Sequence, residues 1–152
     1  MICRREFITL LGGAAACPLS AYAEQGDRVR RIGVLIPSDE NDPDGKLRYS
    51  AVTQVLAALG WIDGRNVRID LRWGGGDPNR IRALAQELVG LQPDIIVTSA
   101  TPPAVALQRE TRTIPIVFAN VGDPVPSGIV ARLDRPSGNV TGFASTANVS
   151  AP

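Results

Sequence analysis

Apolar residues along the chain follow two patterns that take turns. Short apolar runs bounded by proline, glycine or aspartate indicate strands, and between them apolar residues recur every three or four positions, which indicates helices. Strands are predicted at 31–36, 66–73, 94–98, 115–119 and 139–143, and helices at 45–59, 78–90, 102–111 and 127–133. Strand and helix therefore alternate along the chain.

This alternation predicts an α/β fold in one domain. The arrangement that buries such runs is an open, mostly parallel, Rossmann-like sheet of five strands with helices on both faces. The first strand is apolar throughout and should lie inside the sheet, whereas 66–73 alternates apolar and charged residues and should form an edge with one wet face. The first helix should turn one apolar stripe to the core, formed by Leu47, Ala51, Val55, Leu56 and Leu59.

Composition removes several classes of function. Of the 152 residues, 44% are hydrophobic and 20% are charged, and the formal net charge is +1, so the chain offers no basic stripe for nucleic acid. It contains no histidine, and its two cysteines are Cys3 and Cys17. Catalysis by Ser-His-Asp or Cys-His and histidine-ligated metal sites are therefore excluded within this chain. We expect no enzyme activity, no cofactor and no metal.

The first residues have the three-part plan of an export signal. Arg4 and Arg5 precede an apolar run at 7–19, and 21–23 reads Ala-Tyr-Ala, the small-x-small pattern at which signal peptidase cleaves. The run is shorter than the roughly 20 apolar residues that span a bilayer. The paired arginines resemble a twin-arginine signal.

These features predict a cleaved leader at 1–23 and a mature domain at 24–152 that works in the periplasm. Two alternatives stay open for the leader. It could be an ordinary buried helix, or Cys17 could carry a lipid, although the leucine usual three residues before a lipidated cysteine is absent.

Three consecutive glycines at 74–76 separate the second strand from the second helix. A dinucleotide-binding turn needs a glycine where this chain has Asn79, and a phosphate loop needs a glycine-lysine-hydroxyl triplet that the chain lacks. Asp77 suits the N-cap and Pro78 the first helical position, so the glycines are explained by a sharp turn into the helix. A loop that also lines a ligand cleft stays open as the alternative.

A ligand site is expected at the carboxyl edge of the sheet, because open parallel sheets bind ligands there, where the strand order reverses. The connections at this edge carry small hydroxyl and amide groups. At the start of the third helix, hydroxyls and unpaired N–H groups would converge at the positive end of the helix dipole, which suits a carboxylate. The candidate ligand-binding residues are Ser38, Asn41, Ser99, Ala100, Thr101, Asn120 and Asp123.

Simpler roles compete with ligand binding at two of these positions. Thr101 can act as an N-cap, with Pro102 in the first turn of the helix. Asp123 precedes Pro124 and can begin a turn rather than meet a ligand ammonium.

Several segments together resemble a known family. They are the leader RREFITLLGGAAA, the strand RIGVLIP, and the run from LGWIDGRNVRIDLRWGGGDPNRIRAL through QPDIIVTSATPPAVAL to NVGDPVPSGIVARLDRPSGNVTGF. In order and spacing they are similar to exported substrate-binding proteins of ABC importers, related to tryptophan and tyrosine uptake proteins and sharing the type I periplasmic binding fold. The resemblance covers nearly all of residues 4–145.

The resemblance implies reversible binding of a small solute, such as an amino acid or carboxylate, between two α/β lobes that deliver it to an ABC permease. It places Ser38, Ser99, Thr101 and Asn120 on cleft loops. Family members continue beyond GNVTGF into a second lobe, whereas this chain ends after ASTANVSAP, so we expect a lobe-one fragment whose second lobe is missing. The alternative class of function is a flavodoxin-like or nucleotide-binding enzyme.

Overall fold

A computed structural model of the chain describes residues 28–132 and 138–145. The predicted leader lies outside these residues. Within them, the chain forms β1 (Arg30–Ile36), α1 (Pro43–Ala58), β2 (Val67–Trp73), α2 (Pro78–Gly90), β3 (Ile95–Ser99), α3 (Thr101–Glu110), β4 (Ile116–Val121) and β5 (Val140–Ala144). None of these helices is both long enough and apolar enough to cross a membrane.

The five strands form one parallel sheet in the order β2-β1-β3-β4-β5. The predicted fold class is therefore confirmed. β1 lies between β2 and β3, as expected for its uninterrupted apolar run, and β2 is an edge strand, as its alternation predicts. The order reverses between β1 and β3, because the chain passes from β1 to β2 on one side of the sheet and from β3 to β4 on the other.

Aspartates begin the first two helices. Asp42 accepts hydrogen bonds from the backbone N–H groups of Asp44 and Gly45 at 3.3 and 3.2 Å. Asp77 accepts one from Asn79 at 2.9 Å. A proline follows each aspartate at the first helical position. The N–H group that proline lacks would have no hydrogen-bond partner within the helix there, so nothing is lost. The predicted start of α2 is confirmed.

The helices cover the two faces of the sheet unequally. α2 and α3 pack together on one face, over the main core, whose largest fully buried members include Leu35, Leu88, Ile96, Leu107 and Ile116. α1 lies alone on the other face, over a smaller buried set formed by Ile32, Val34, Ile36 and Val67.

The apolar stripe predicted for the first helix does not face the core. Leu47, Val55 and Leu59 are 69%, 60% and 70% exposed, and Ala51 is exposed as well. Only Leu56 of the predicted stripe packs against the sheet. This prediction was wrong for four of its five residues.

The cause is a second helical face on α1. Gly45, Tyr49 and Leu56 also recur at helical spacing, and they are the residues that the structure turns toward the sheet. Gly45 is buried, and a methyl group there would lie 2.9 Å from the Trp73 ring. A glycine lets the start of α1 approach the end of β2 closely.

The short helix predicted at 127–133 is wrong over its described part. Residues 124–128 form a turn, in which the Ser127 N–H donates to the Asp123 carbonyl at 3.1 Å. Gly128 then has a φ of 73°, outside the right-handed helical region, so helical hydrogen bonding stops after one turn.

An ion pair joins β1 to β2 on the face covered by α2. Arg31 Nε donates to Asp70 Oδ2 at 2.5 Å, and Arg31 Nη1 donates to the Leu91 carbonyl at 3.2 Å. The hydrogen bond from Arg31, aided by its charge, outweighs desolvation and lowers the pKa of Asp70. Asp70 is only 9% exposed, so the expectation of a wet polar face on β2 fails at this residue.

The glycine turn after β2 is closed by the loop after β1. The backbone N–H groups of residues 74–76 donate, in order, to the carbonyls of Ile36, Ser38 and Pro37 at 2.7, 3.0 and 2.8 Å. N–H groups that are already hydrogen-bonded cannot cradle a phosphate. The structural interpretation of these glycines is confirmed, and the nucleotide-binding alternative loses its candidate loop.

Gly74 has a steric role that a substitution can test. A methyl group at this position would lie 2.6 Å from Ile81 Cγ1 and 2.9 Å from the Pro37 carbonyl oxygen. We expect Gly74→Ala to lower the free energy of unfolding by about 1–3 kcal/mol, because the Pro37 backbone is held in the turn. Gly90→Ala, at the end of α2 with nothing within 4 Å of the added methyl, is the control. Urea denaturation giving both variants the same midpoint would contradict the steric role.

The Arg31–Asp70 pair should make stability depend on pH. The folded pKa of Asp70 lies below its unfolded value of about 3.9, so its contribution is present above that value and disappears as pH falls through the folded pKa. We expect Asp70→Asn to lower the urea midpoint at pH 7 and to flatten the loss of stability between pH 5 and pH 2. Glu40→Gln, at an exposed carboxylate of the loop after β1, should leave the midpoint at pH 7 unchanged. If the stability of D70N depended on pH in the same way as that of the parent, the contribution of this ion pair would be ruled out.

Candidate functional site

The loops that carry the predicted site residues leave one edge of the sheet. Because all strands are parallel, the connections after β1, β3 and β4 start at the same edge, and these three strands are neighbours. The strand order reverses between β1 and β3, and open parallel sheets commonly bind ligands at the carboxyl ends of the strands at such a reversal. Ser38 and Asn41 lie on the β1 side of this reversal, and Ser99, Ala100 and Thr101 lie on the β3 side.

The turn from β3 into α3 has no side-chain cap. Its N-cap residue is Ala100, which has no side-chain acceptor for the N–H groups of the first turn. The hydroxyl of Ser99, immediately before it, is buried and has no hydrogen-bond partner. A buried hydroxyl without a partner costs about 1–3 kcal/mol, so this position favours a ligand or a water that would complete it.

Fewer backbone donors converge on this turn than the sequence analysis expected. Pro102 and Pro103 occupy the first turn of α3 and have no N–H, and the N–H of Ala100 donates to the Ala119 carbonyl at 3.2 Å. The N–H of Thr101 is the backbone donor left at the helix start. An anion bound here would therefore depend on Thr101 N–H, the Ser99 hydroxyl and the helix dipole.

Thr101 links two loops and is not the cap of α3. Its Oγ1 donates to the Gly122 carbonyl at 3.3 Å, and the cap position falls one residue earlier, so the N-cap interpretation of Thr101 is wrong. Together with the bond from Ala100 to Ala119, this contact ties the β3 loop to the β4 loop.

Strained backbone conformations concentrate in these two loops. Ala100 has φ 67° and ψ 165°, Asn120 has φ 54° and Asp123 has φ 44°. Ala100 lies in a region that is essentially reserved for glycine, whereas asparagine and aspartate tolerate positive φ better. Strain of this kind persists where the surrounding structure imposes it, and it is typical of functional sites.

Asn120 and Asp123 differ in how the backbone presents them. Asn120 is exposed and lies at an irregularity of β4, where the register with β5 shifts between Ala119 and Val121. A bulge of this kind redirects a side chain at the end of a strand. Asp123 begins the turn that its sequence suggests, since its carbonyl accepts the Ser127 N–H, and its side chain is exposed.

On the β1 side, the Ser38 hydroxyl is buried and forms no well-aligned hydrogen bond. It lies close enough to Asp42 to lower the pKa of that carboxyl, which the backbone N–H groups of Gly45 and Asp44 lower further against desolvation. The Ser38 carbonyl accepts the Gly75 N–H, which fixes this loop against the glycine turn. Two buried hydroxyls, from Ser38 and Ser99, thus flank the reversal of strand order.

Asn41 is held within its own loop. Its backbone N–H and its side-chain amide both donate to Asp39 Oδ1, at 2.9 and 3.0 Å. Both residues are exposed. The amide oxygen of Asn41 is the group that it could still offer to a ligand.

Acidic residues dominate the connections that leave the carboxyl edge. In the described parts of the connections after β1 to β4, the carboxylates belong to Asp39, Glu40, Asp42, Asp77 and Asp123. The basic residue of the same segments is Arg132. The local field therefore favours a solute that carries a positive group over a dianion.

The candidate residues at this edge present hydroxyl, amide and backbone groups. Within residues 28–132 and 138–145, histidine, cysteine, aspartate and glutamate side chains do not gather in threes as a metal site would require. The cap at Asp42 was not predicted, although Asp42-Pro43 repeats the Asp-Pro signal found at the start of α2. The two adjacent prolines at the start of α3 are also visible in the sequence, and they remove two N–H donors from the expected anion site.

The chain is similar to known proteins. A family model described as ABC transporter substrate binding protein matches residues 32–151. The tyrosine-binding protein of Clostridioides difficile (strain R20291) is 37% identical over 89 residues, which are 59% of this chain and 26% of that protein.

Two solved structures are similar in both sequence and fold. An ABC domain in complex with L-Trp from Streptococcus pneumoniae is 32% identical with a TM-score of 0.71, over 77% of this chain and 39% of that one. A ligand-free, open substrate-binding protein with adhesive properties from Clostridium difficile is 29% identical with a TM-score of 0.74, over 80% of this chain and 40% of that one. The chain thus spans 26% to 40% of the length of these relatives.

The strain at Ala100 can be measured directly. We expect Ala100→Gly to raise the free energy of unfolding by about 1 kcal/mol or more, because glycine adopts this conformation without steric cost. Ala83→Gly, at an exposed position inside α2, should lower it by about 1 kcal/mol. Urea denaturation of both variants provides the comparison, and destabilisation by A100G would show that Ala100 is unstrained.

Proposed function

Because the chain belongs to the family of ABC transporter substrate-binding proteins, we propose that it forms the first lobe of a protein that captures a small solute in the periplasm for an importer. The family binds solutes and is not a family of enzymes. The supporting observation is the carboxyl edge of the sheet, where the buried hydroxyl of Ser99 has no partner and α3 begins without a side-chain cap.

The solute is proposed to be an amino acid. Its carboxylate would accept hydrogen bonds from the Ser99 hydroxyl and the Thr101 N–H, at the positive end of α3. Its ammonium would lie toward the acidic rim, where Asp123 is exposed. The printed descriptions of two relatives, a tyrosine-binding protein and a complex with L-Trp, make an aromatic amino acid the first solute to test.

Four further residues complete the proposed half-site. The buried Ser38 hydroxyl lies on the β1 side of the same reversal of strand order, close to Asp42 and Gly45 at the start of α1. Asn120, at the bulge of β4, and Asn41, after β1, offer amide groups to the polar parts of the solute. Ala100 contributes through its strained backbone rather than its methyl group.

A second lobe is proposed to supply the other wall of the cleft. Residues 24–152 would form lobe one, in line with the share of the relatives' length that the chain spans. A small solute on one lobe keeps much of its surface in water, and tight pockets bury about 70–90% of their ligand. Binding by this lobe alone should therefore be weak.

The proposed cellular setting follows from the family and the leader. The arginine-containing segment at 1–23 would direct export, and the folded lobe would act outside the cytoplasm. Its partner would be an ABC permease in the inner membrane, which receives the solute from the closed two-lobe protein.

Three related ligands test the proposed carboxylate-binding site at the Ser99 hydroxyl and the Thr101 N–H. L-tryptophan should shift the amide NMR signals of residues 99–101 and 120–123 with millimolar affinity, because the half-site is exposed. Tryptamine, which lacks the carboxylate, should leave residues 99–101 unmoved. Indole-3-propionate, which lacks the ammonium, should bind more weakly because of the acidic rim.

Substitution of Ser99 provides the second arm of this experiment. Ser99→Ala should weaken binding of L-tryptophan about tenfold, as expected for a hydrogen bond to a charged group. Ser50→Ala, on the surface of α1, is the matched control and should bind like the parent. If tryptamine shifts the amide signals of residues 99–101 as strongly as L-tryptophan does, or if S99A binds L-tryptophan as tightly as the parent, the proposed carboxylate-binding site is wrong.

A further inference from the structure

The amino edge of the sheet, opposite the candidate site, is strongly basic. In the strand starts and the loops that lead into them, the described arginines are Arg28, Arg30, Arg31, Arg65, Arg68 and Arg112. The carboxylates of the same segments are Asp63, Asp70 and Asp94. The two edges of one sheet therefore carry opposite charge.

The aspartates of this edge are shared between arginines. Asp94 lies 3.4 Å from Arg28 Nη2 and 3.3 Å from Arg30 Nη1. Asp70 pairs with Arg31 and lies 3.6 Å from Arg68 Nε. The Arg28 and Arg68 side chains are 69% and 67% exposed, so the surplus positive charge faces water.

Exposed apolar side chains gather at one corner of the same edge, around the end of α1 and the start of β1. They are Val29, Val55, Leu59, Trp61 and Ile62, which are 51%, 60%, 70%, 39% and 43% exposed. A contiguous apolar patch rimmed by charged residues is typical of a binding surface, whereas scattered exposed leucines are not.

A cavity of about 460 Å³ lies within this corner. Its walls are mostly apolar, and the Arg30–Asp94 pair and Trp61 are part of its lining, together with Ile32, Leu56 and Ile95. An apolar hollow beside arginines suits a molecule with a hydrocarbon part and an anionic head.

We propose that this corner, the amino-edge corner formed by Arg28, Arg30, Arg65, Arg68 and the apolar residues named above, docks on the surface of an anionic phospholipid bilayer. The arginines would meet headgroup phosphates, and Trp61 and Ile62 would enter the interfacial layer. Basic clusters bind anionic lipid, and tryptophan favours the boundary between headgroups and acyl chains.

The position of the corner supports this occupant. The chain enters the described structure at Arg28, on this edge, and residues 20–27 separate it from the apolar run at 7–19. Until the predicted leader is cleaved, these residues can span at most about 30 Å, which would keep this edge near the lipid during export. The candidate solute site would then face away from the bilayer.

Vesicle binding of the full chain tests the proposal. Partition to phosphatidylglycerol-containing vesicles should exceed partition to pure phosphatidylcholine vesicles, and the ratio should fall as salt rises. The triple variant R28Q/R65Q/R68Q should reduce that ratio by about fivefold for each arginine removed. The ratio is compared between the parent and the variant because both carry the same leader, whose apolar run and whose Arg4 and Arg5 also bind vesicles.

The matched control removes the same charge elsewhere. R48Q/R80Q/R82Q replaces three exposed arginines of α1 and α2 and should lower the ratio much less. In a W73F background, Trp61 is the remaining tryptophan, and its fluorescence should shift to the blue on anionic vesicles. Equal ratios for the two triple variants would overturn the proposal. So would an unshifted Trp61 spectrum, or self-association through this corner that L59S abolishes.

Discussion

Parallel pairing of β1 with β2 on one side and β3 on the other is the constraint on which the rest of this structure depends. It fixes one edge of the sheet for every connection that leaves a strand and the opposite edge for every connection that returns. A slip of one residue would exchange the two faces of β1 and move Arg31 from Asp70 to the apolar face covered by α1, so the register is firmly set. The two edges are therefore free to differ in chemistry. One carries strained loops and carboxylates, and the other carries arginines.

At the carboxyl edge, bonds between loops position the candidate site. The Ala100 N–H binds the β4 strand, and the Gly75 N–H binds the Ser38 carbonyl, so both sides of the strand-order reversal are held by backbone contacts. Loops that are ordered before a ligand arrives lose less entropy on binding. Pro102 and Pro103 have no N–H groups. An anion bound at this helix start would therefore depend more on the Ser99 hydroxyl than it would at a helix start with free N–H groups.

The two faces of the sheet differ in how completely they are covered. The face under α2 and α3 holds the main core, whereas α1 alone leaves Ile69, Leu71 and Val97 only partly buried on the other. Apolar burial contributes roughly 25 cal/mol for each Å² removed from water, so the α1 face contributes the smaller share of stability. The exposed apolar residues at the end of α1 continue from this face to the amino-edge corner.

The sequence by itself determined the alternation of strands and helices, the parallel five-stranded sheet and the start of α2 at Asp77-Pro78, because these depend on local periodicity and on neighbouring residues. It also determined that the glycine turn matches no nucleotide-binding pattern. Only the tertiary structure decided which apolar stripe of α1 meets the sheet, since both stripes have helical spacing. It alone decided that Asp70 is buried, because Arg31 is 39 residues away in the chain. The same holds for Ala100, whose conformation is imposed by contacts with β4. Contacts between distant segments select among locally equivalent choices, and local patterns carry no information about that selection.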